Sequence, residues 1–271
     1  MIECAKSHFI NQGSTLPTLT TLEGVNLHYQ LIEGDSNKPY LVFLHEGLGC
    51  ETMWKGFHQR LCESTGCRGL VYDRQGYGQS AALTEQRTVH YMHDYALREL
   101  PQVLQQVIAD TPYILVGHSD GGSIALIYGA ERPAMLKGII TEAAHVFVEP
   151  ETIVGIEEAD AAWEQGKLAG LAKYHGDKTE TIFKAWSQTW ITYWFKCWNI
   201  EYLLPSIEAP LLVIQGKDDQ YGSVSQVDSI VDKSTGPAQA AIVDNCGHSP
   251  HLQAQAVVLG LMVEFVAGFN I

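Results

Sequence analysis

Positive charge is scarce in this chain: 17 Lys and Arg stand against 31 Asp and Glu, a formal net charge of −14 over 271 residues. That balance favours solubility and repels phosphate, which argues against nucleic acid or an anionic membrane as a partner. Long apolar runs are missing too. No uncharged stretch approaches the ~18 residues that cross a bilayer. Residues 1–11 include Glu3, Lys6 and His8 and lack the apolar core of a secretory leader. The six cysteines (Cys4, Cys50, Cys62, Cys67, Cys197 and Cys246) are scattered. None forms a CxxC pair, and none has a histidine at zinc-finger spacing. They read as free, mostly buried thiols of a cytoplasmic protein, with disulfide pairing left open by sequence alone. No metal site and no cofactor motif is expected. Repeats and low-complexity tracts are absent as well.

What is present is globular. Apolar residues make up 46% and charged residues 18%, and a chain this long can bury a large core without staples. Short apolar runs alternate with amphipathic segments, the pattern of a mostly parallel α/β sheet. Strands are predicted over residues 27–32, 40–44, 69–72, 113–116, 136–141, 211–215 and 240–244. Buried parallel strands read as nearly all apolar because helices cover both faces. Helices are predicted over 53–63, 94–109, 119–131 and 253–265. One interval, 146–205, breaks the alternation. It is helix-like and aromatic, and reads as a helical insertion between two strands. The expected organisation is therefore a core of 1–145 and 206–271 with a helical cap over 146–205.

Gly117-His118-Ser119-Asp120-Gly121 fits G-x-S-x-G. The pattern alone is weak, but it follows the apolar run 113–116 and opens an amphipathic segment. A serine on such a strand-to-helix turn projects its oxygen above the sheet. The crowded turn demands small residues at Gly117 and Gly121, and the helix start places its positive dipole end beside developing negative charge.

At this point the chain resembles the α/β-hydrolase superfamily, from about residue 22 to 265. Three further motifs carry the likeness. Leu44-His45-Glu46-Gly47-Leu48-Gly49 is similar to the family's His-Gly oxyanion loop. Asp73-Arg74-Gln75-Gly76-Tyr77-Gly78-Gln79-Ser80 is similar to its D-x-R-G-x-G-x-S segment. Gly216-Lys217-Asp218-Asp219 and Cys246-Gly247-His248 are similar to its acid and histidine segments. The order Ser, acid, His is the order of this fold. The resemblance implies a three-layer α/β sandwich with a helical cap, and a serine hydrolase with a Ser119–His248–Asp219 triad.

A serine hydroxyl needs an adjacent general base. The resemblance puts His248 there, with His251 as rival. His118 should point into the fold, and His45 should brace the oxyanion loop. A carboxylate must orient the base. The family's acid stands three residues after the glycine, which selects Asp219 and leaves Asp218 open. The oxyanion needs two N–H donors: the resemblance implies the amides of Asp120 and Gly47. Glu46 departs from the family's glycine. Two readings remain, a carboxylate turned away and paired with Arg74 or backbone donors, or one that faces the pocket and steers a polar or basic substrate group.

Trp186, Trp190, Trp194 and Trp198 recur every fourth residue, which on one helix makes a stripe. The stripe packs the cap onto the core, walls an apolar substrate pocket, or does both at different turns. Phe183, Tyr193 and Trp163 are further pocket candidates. His90-x-x-His93-Asp94 lacks the HExxH arrangement and reads as a helix start with Asp94 near the cap. Gly76-x-Gly78 is no dinucleotide fingerprint.

The expected activity is hydrolysis of an ester or related acyl bond in a small, largely apolar molecule. Carbon–carbon cleavage of a dienoic diketone-like acid and ligand binding without turnover are the rivals, with peptidase and lactonase activity also open. Serine at the elbow argues against relatives whose nucleophile is a carboxylate. A homodimer is compatible with the sequence.

Overall fold

The computed structural model describes residues 17–269; the reading of residues 1–11 and of Cys4 lies outside them. Eight strands form one sheet: β1 (Thr18–Thr20), β2 (Asn26–Ile32), β3 (Tyr40–Leu44), β4 (Arg68–Tyr72), β5 (Tyr113–His118), β6 (Leu136–Glu142), β7 (Leu211–Gly216) and β8 (Ala238–Val243). Their order is β1-β2-β4-β3-β5-β6-β7-β8. The pairings β1–β2 and β2–β4 are antiparallel, and every pairing from β4 to β8 is parallel. β1 escaped the sequence reading because three residues carry no periodicity.

Strand parity divides the core. Val42 and Leu44 of β3, Leu115 of β5 and Val213 of β7 face one side. Leu41 and Phe43, Ile114 and Val116, Leu212 and Ile214 face the other. The second side packs on α1 (Phe57–Thr65) through Phe57 and Leu61, and on the C-terminal helix Gln255–Ala267 through Val258, Met262 and Val266. The first side packs on α2 (Leu100–Val107) through Val103 and Leu104, on α3 (Asp120–Gly129) through Ile124, and on the helix Val224–Lys233 through Val227 and Ile230. Three layers result, as the alternation implied.

Two helices differ from expectation. The helix predicted over 53–63 is broken, because Lys55 (φ 51°) and Gly56 (φ 77°) turn left-handed between a 3₁₀ turn, Glu51–Trp54, and α1. The helix predicted from 94 begins at Tyr91 with His90 as its N-cap, so Asp94 lies inside the first turn. There it meets Arg98 at 3.7 Å, an exposed i,i+4 pair of little energetic weight. The segment then makes one π turn, Tyr95–Glu99, before α2.

Glu99 ends that turn. It is buried, and its Oε2 accepts the Gln75 N–H at 2.9 Å. Burial pushes its carboxyl up to about 7. The folded value lies above the ordinary 4.5, so the protonated side chain stabilises the fold fully below about 4.5, and this contribution is lost as pH rises through about 7. Buried His45, His118 and His145, whose pKa values burial lowers, pull stability the opposite way. The test is therefore the difference between wild type and Glu99→Gln in urea unfolding. The variant should gain relative stability across that window; parallel curves would refute the assignment.

Between β6 and β7 the chain forms α4 (Pro150–Glu164) and α5 (Thr179–Ile191). They are joined by Ser187 Oγ–H to Asp160 Oδ1 (2.8 Å) and by Trp163 stacked on Phe183 (centroids 4.3 Å). The four-tryptophan stripe is not one helical face. α5 ends at Ile191, with Thr192 extended (ψ 141°), and leaves Trp194 and Trp198 beyond it. Turning back buries Phe195 and Trp198 against Trp190 (4.9 and 5.7 Å), which a continued helix would not do. Tyr193 is 82% exposed and builds no pocket; Phe183 and Trp163 pack on each other.

Candidate active site

β5 runs straight into α3, and the turn between them is tight. A Cβ at Gly117 would stand 2.3 Å from the Gly121 carbonyl oxygen, and one at Gly121 would stand 2.0 Å from that of Leu44. Ser119 caps α3 at φ 53°, ψ −117°. A non-glycine residue held there stores backbone strain of about 1–3 kcal/mol. The Ser119 N–H donates to the Glu142 carbonyl (2.8 Å), which ties the turn to β6.

The Ser119 hydroxyl lies 2.9 Å from His248 Nε2. His248 Nδ1–H faces both oxygens of Asp219 at 2.9 Å. Asp219 also accepts the Tyr221 N–H (2.8 Å) and Gln215 Nε2–H (2.7 Å). Burial pushes its carboxyl up, but the hydrogen bond and charge of His248, with the Tyr221 N–H bond and the charge of His145, together lower it. Asp218 is exposed, and only its backbone N–H is engaged, by the Cys246 carbonyl.

The other histidines have separate partners. His118 is buried, its pKa held well down by desolvation, and its Nε2–H donates to the His248 carbonyl (2.7 Å). His251 Nδ1 pairs with Glu142 Oε2 at 2.6 Å, both side chains inaccessible. It turns away from Ser119. Replacing His251 by alanine strands a buried carboxylate, and is expected to cost about 2–3 kcal/mol with turnover preserved at low temperature. His248→Ala should lose turnover outright, with a smaller cost in stability because Asp219 keeps the Tyr221 and Gln215 donors. Thermal melts and rates on both variants separate the two histidines, and loss of turnover in well-folded His251→Ala would reverse the assignment.

The loop after β3 lies opposite the elbow. The backbone N–H groups of Gly47 and Asp120 have no partner among the described residues, whereas that of Leu48 donates to Glu46 Oε2 (2.5 Å). The Gly47 amide is aimed from behind. The Glu46 carbonyl, on the other side of the same peptide, accepts Arg74 Nη2–H (3.0 Å) and His45 Nδ1–H (2.8 Å). In a planar trans peptide, fixing the C=O fixes the opposed N–H. His45 Nε2 accepts the Arg74 N–H (3.2 Å), so the ring is neutral. Tyr77 O–H donates to the Gly47 carbonyl (2.9 Å), and Tyr91 O–H to Asp120 Oδ2 (2.9 Å). Arg74 thus serves the backbone of Glu46. Of the two partners expected for its carboxylate, Glu46 takes the backbone donor, the Leu48 N–H, not Arg74.

Above Ser119 lies a cavity of about 500 Å³, lined by Glu46, Gly47, Asp120 and His248 from the core side and by Glu158, Trp186 and Trp190 from the insertion. A Cβ at Gly47 would stand 2.6 Å from Trp186 Cδ1, so the indole seats directly on the loop after β3. Trp190 Nε1–H donates to Tyr91 O–H (3.1 Å). Glu46, Trp186 and Trp190 therefore do line the cavity. His145, Tyr221 and Glu158 line it too and were missed, since no motif marks them. Only the position of Tyr221, two residues past the acid, hinted at its role. No group of side chains among the described residues could hold a metal, and no described helix is long and apolar enough to cross a membrane.

A profile of the Alpha/beta hydrolase family matches residues 41–259. The sn-1-specific diacylglycerol lipase ABHD11 of Mus musculus is 28% identical over 49% of this chain and 42% of its own length. A proline iminopeptidase of Saccharolobus solfataricus is 31% identical over 44% of this chain and 38% of its own. The chain thus spans about two fifths of these curated relatives. Among solved structures, the esterase EaEST of Exiguobacterium antarcticum covers 93% of this chain with all of its own (TM-score 0.74, 19% identity). At that identity the likeness concerns the fold.

Proposed function

This chain belongs to the alpha/beta hydrolase family, and from that premise we propose that it hydrolyses an ester or related acyl bond of a small, largely apolar molecule through Ser119, His248 and Asp219. The observation that carries the reading is the unbroken chain from Ser119 Oγ to His248 Nε2 to Asp219, 2.9 Å at each step, at the floor of the 500 Å³ cavity.

His248 Nε2 takes the proton as Ser119 Oγ attacks the carbonyl carbon, and Asp219 stabilises the imidazolium. The Gly47 and Asp120 amides receive the developing oxyanion. The tetrahedral intermediate collapses when His248 protonates the leaving group. Water, deprotonated by the same nitrogen, then releases the acyl group and restores Ser119. Residues 146–205 act as a cap over a core of 1–145 and 206–271, excluding water and walling the pocket with Trp186 and Trp190.

A fluorophosphonate probe tests the reading. Stoichiometric labelling of Ser119, together with turnover of p-nitrophenyl esters, is expected. Folded protein that takes up no label would be a binder of ligands instead.

A further inference from the structure

The cavity is rich in acceptors and aromatic faces and poor in cations. Glu46 lines it beside the nucleophile and Glu158 lines it from α4, while no Lys or Arg contributes to the wall. Glu46 Oε2 is engaged only by the Leu48 N–H, and no cationic side chain bonds the carboxylate, since Arg74 and His45 both go to its carbonyl. Burial accordingly raises its pKa. His145 also borders the wall but is 3% exposed, its ring nitrogens buried from the cavity. Its Nε2–H is used on the Tyr221 carbonyl (2.9 Å), which leaves Nδ1 as a bare acceptor with no partner among the described residues. Trp186 and Tyr221 meet edge to face at 6.4 Å on the same wall. Carboxylate beside aromatic faces is the chemistry that holds an alkylammonium group, by charge and by cation–π attraction.

Resting on the hydrolase reading above, we propose that the substrate carries an alkylammonium group, received between Glu46 and the faces of Trp186 and Tyr221. Glu158 adds negative potential from α4. The group stays unreacted; it orients the acyl chain so that the carbonyl meets Ser119. An anionic substrate, by contrast, would enter a cavity with nothing to neutralise it.

Two esters that differ by one charge test this: p-nitrophenyl 4-(trimethylammonio)butanoate and its carbon isostere, p-nitrophenyl 5,5-dimethylhexanoate. The expected ratio of kcat/KM, cationic over neutral, is roughly tenfold or more at low salt. Glu46→Gln, whose amide oxygen still accepts the Leu48 N–H, should bring the ratio close to one. A wild-type ratio of one or less, or a ratio that Glu46→Gln leaves unmoved, overturns the proposal. Calorimetric titration of tetraethylammonium into wild type provides an independent measurement should that variant fail to fold: saturable binding, competitive with the neutral ester, is expected, and its absence counts against the site. Fluorophosphonate labelling separates the two levels. Labelled protein that prefers the neutral ester sinks only the ammonium site, whereas protein that neither labels nor turns over sinks the hydrolase reading, and the titration still decides the ammonium site.

Discussion

Ser119→Ala is expected to lower ester turnover by roughly 10⁴- to 10⁶-fold and to leave the fold in place. The size follows from the arrangement. The hydroxyl is the only group of the Ser119–His248–Asp219 chain that can bond to the substrate carbon, and without it the cavity and the two amides can still bind but cannot form an acyl-enzyme. Stability should hardly change, because alanine at φ 53° is as strained as serine. Ser119→Gly makes the complementary prediction. It removes the same nucleophile and relieves the left-handed strain of about 1–3 kcal/mol, set against about 0.5–1 kcal/mol of added chain entropy in the unfolded state. The glycine variant should therefore be inactive and melt above the alanine variant. Measuring p-nitrophenyl acetate turnover and melting temperature on the three proteins checks both. Residual turnover within tenfold of wild type would remove Ser119 from the mechanism; a glycine variant that melts below the alanine one would remove the strain argument.

Gly121→Ala should be strongly disruptive for a single added methyl group. The added carbon would stand 2.0 Å from the Leu44 carbonyl oxygen and 2.7 Å from that of His45. Both are backbone atoms of β3 and the loop after it, so no rotamer change relieves the overlap. α3 must move away from β3, at a cost of about 3 kcal/mol or more. The same shift displaces the Asp120 amide, so activity should fall further than stability does. Urea unfolding, with kcat measured on the folded fraction, distinguishes the two losses. A variant within ~0.5 kcal/mol of wild type would mean the turn has room it does not display here.

The sheet was legible because buried parallel strands announce themselves: residues 40–44, 113–116 and 211–214 are apolar without interruption, and each lies in a strand. The positions of Ser119, His248 and Asp219 were legible through spacing and resemblance, and the structure brings these three side chains into contact. Side-chain direction was not. Only the resemblance chose between His248 and His251; the physical difference is that Glu142, at the end of β6, offers His251 a buried partner. The tryptophan spacing misled for a related reason. Period alone favours a continued helix through Trp198, but Phe195 and Trp198 gain more burial by folding back on Trp190, and tertiary packing outweighs helical propensity. Glu46 was ambiguous because its backbone and its carboxylate do different things. Arg74 and His45 hold its carbonyl, and its side chain faces the Leu48 amide and the cavity.

The seat of the Trp186 indole on Gly47 couples two positions that lie 139 apart in sequence, 186 less 47. A methyl group at 47 has no volume to occupy while the indole stays where it is. Gly47→Ala is therefore expected to displace the indole, and a smaller side chain at 186 should relieve the clash.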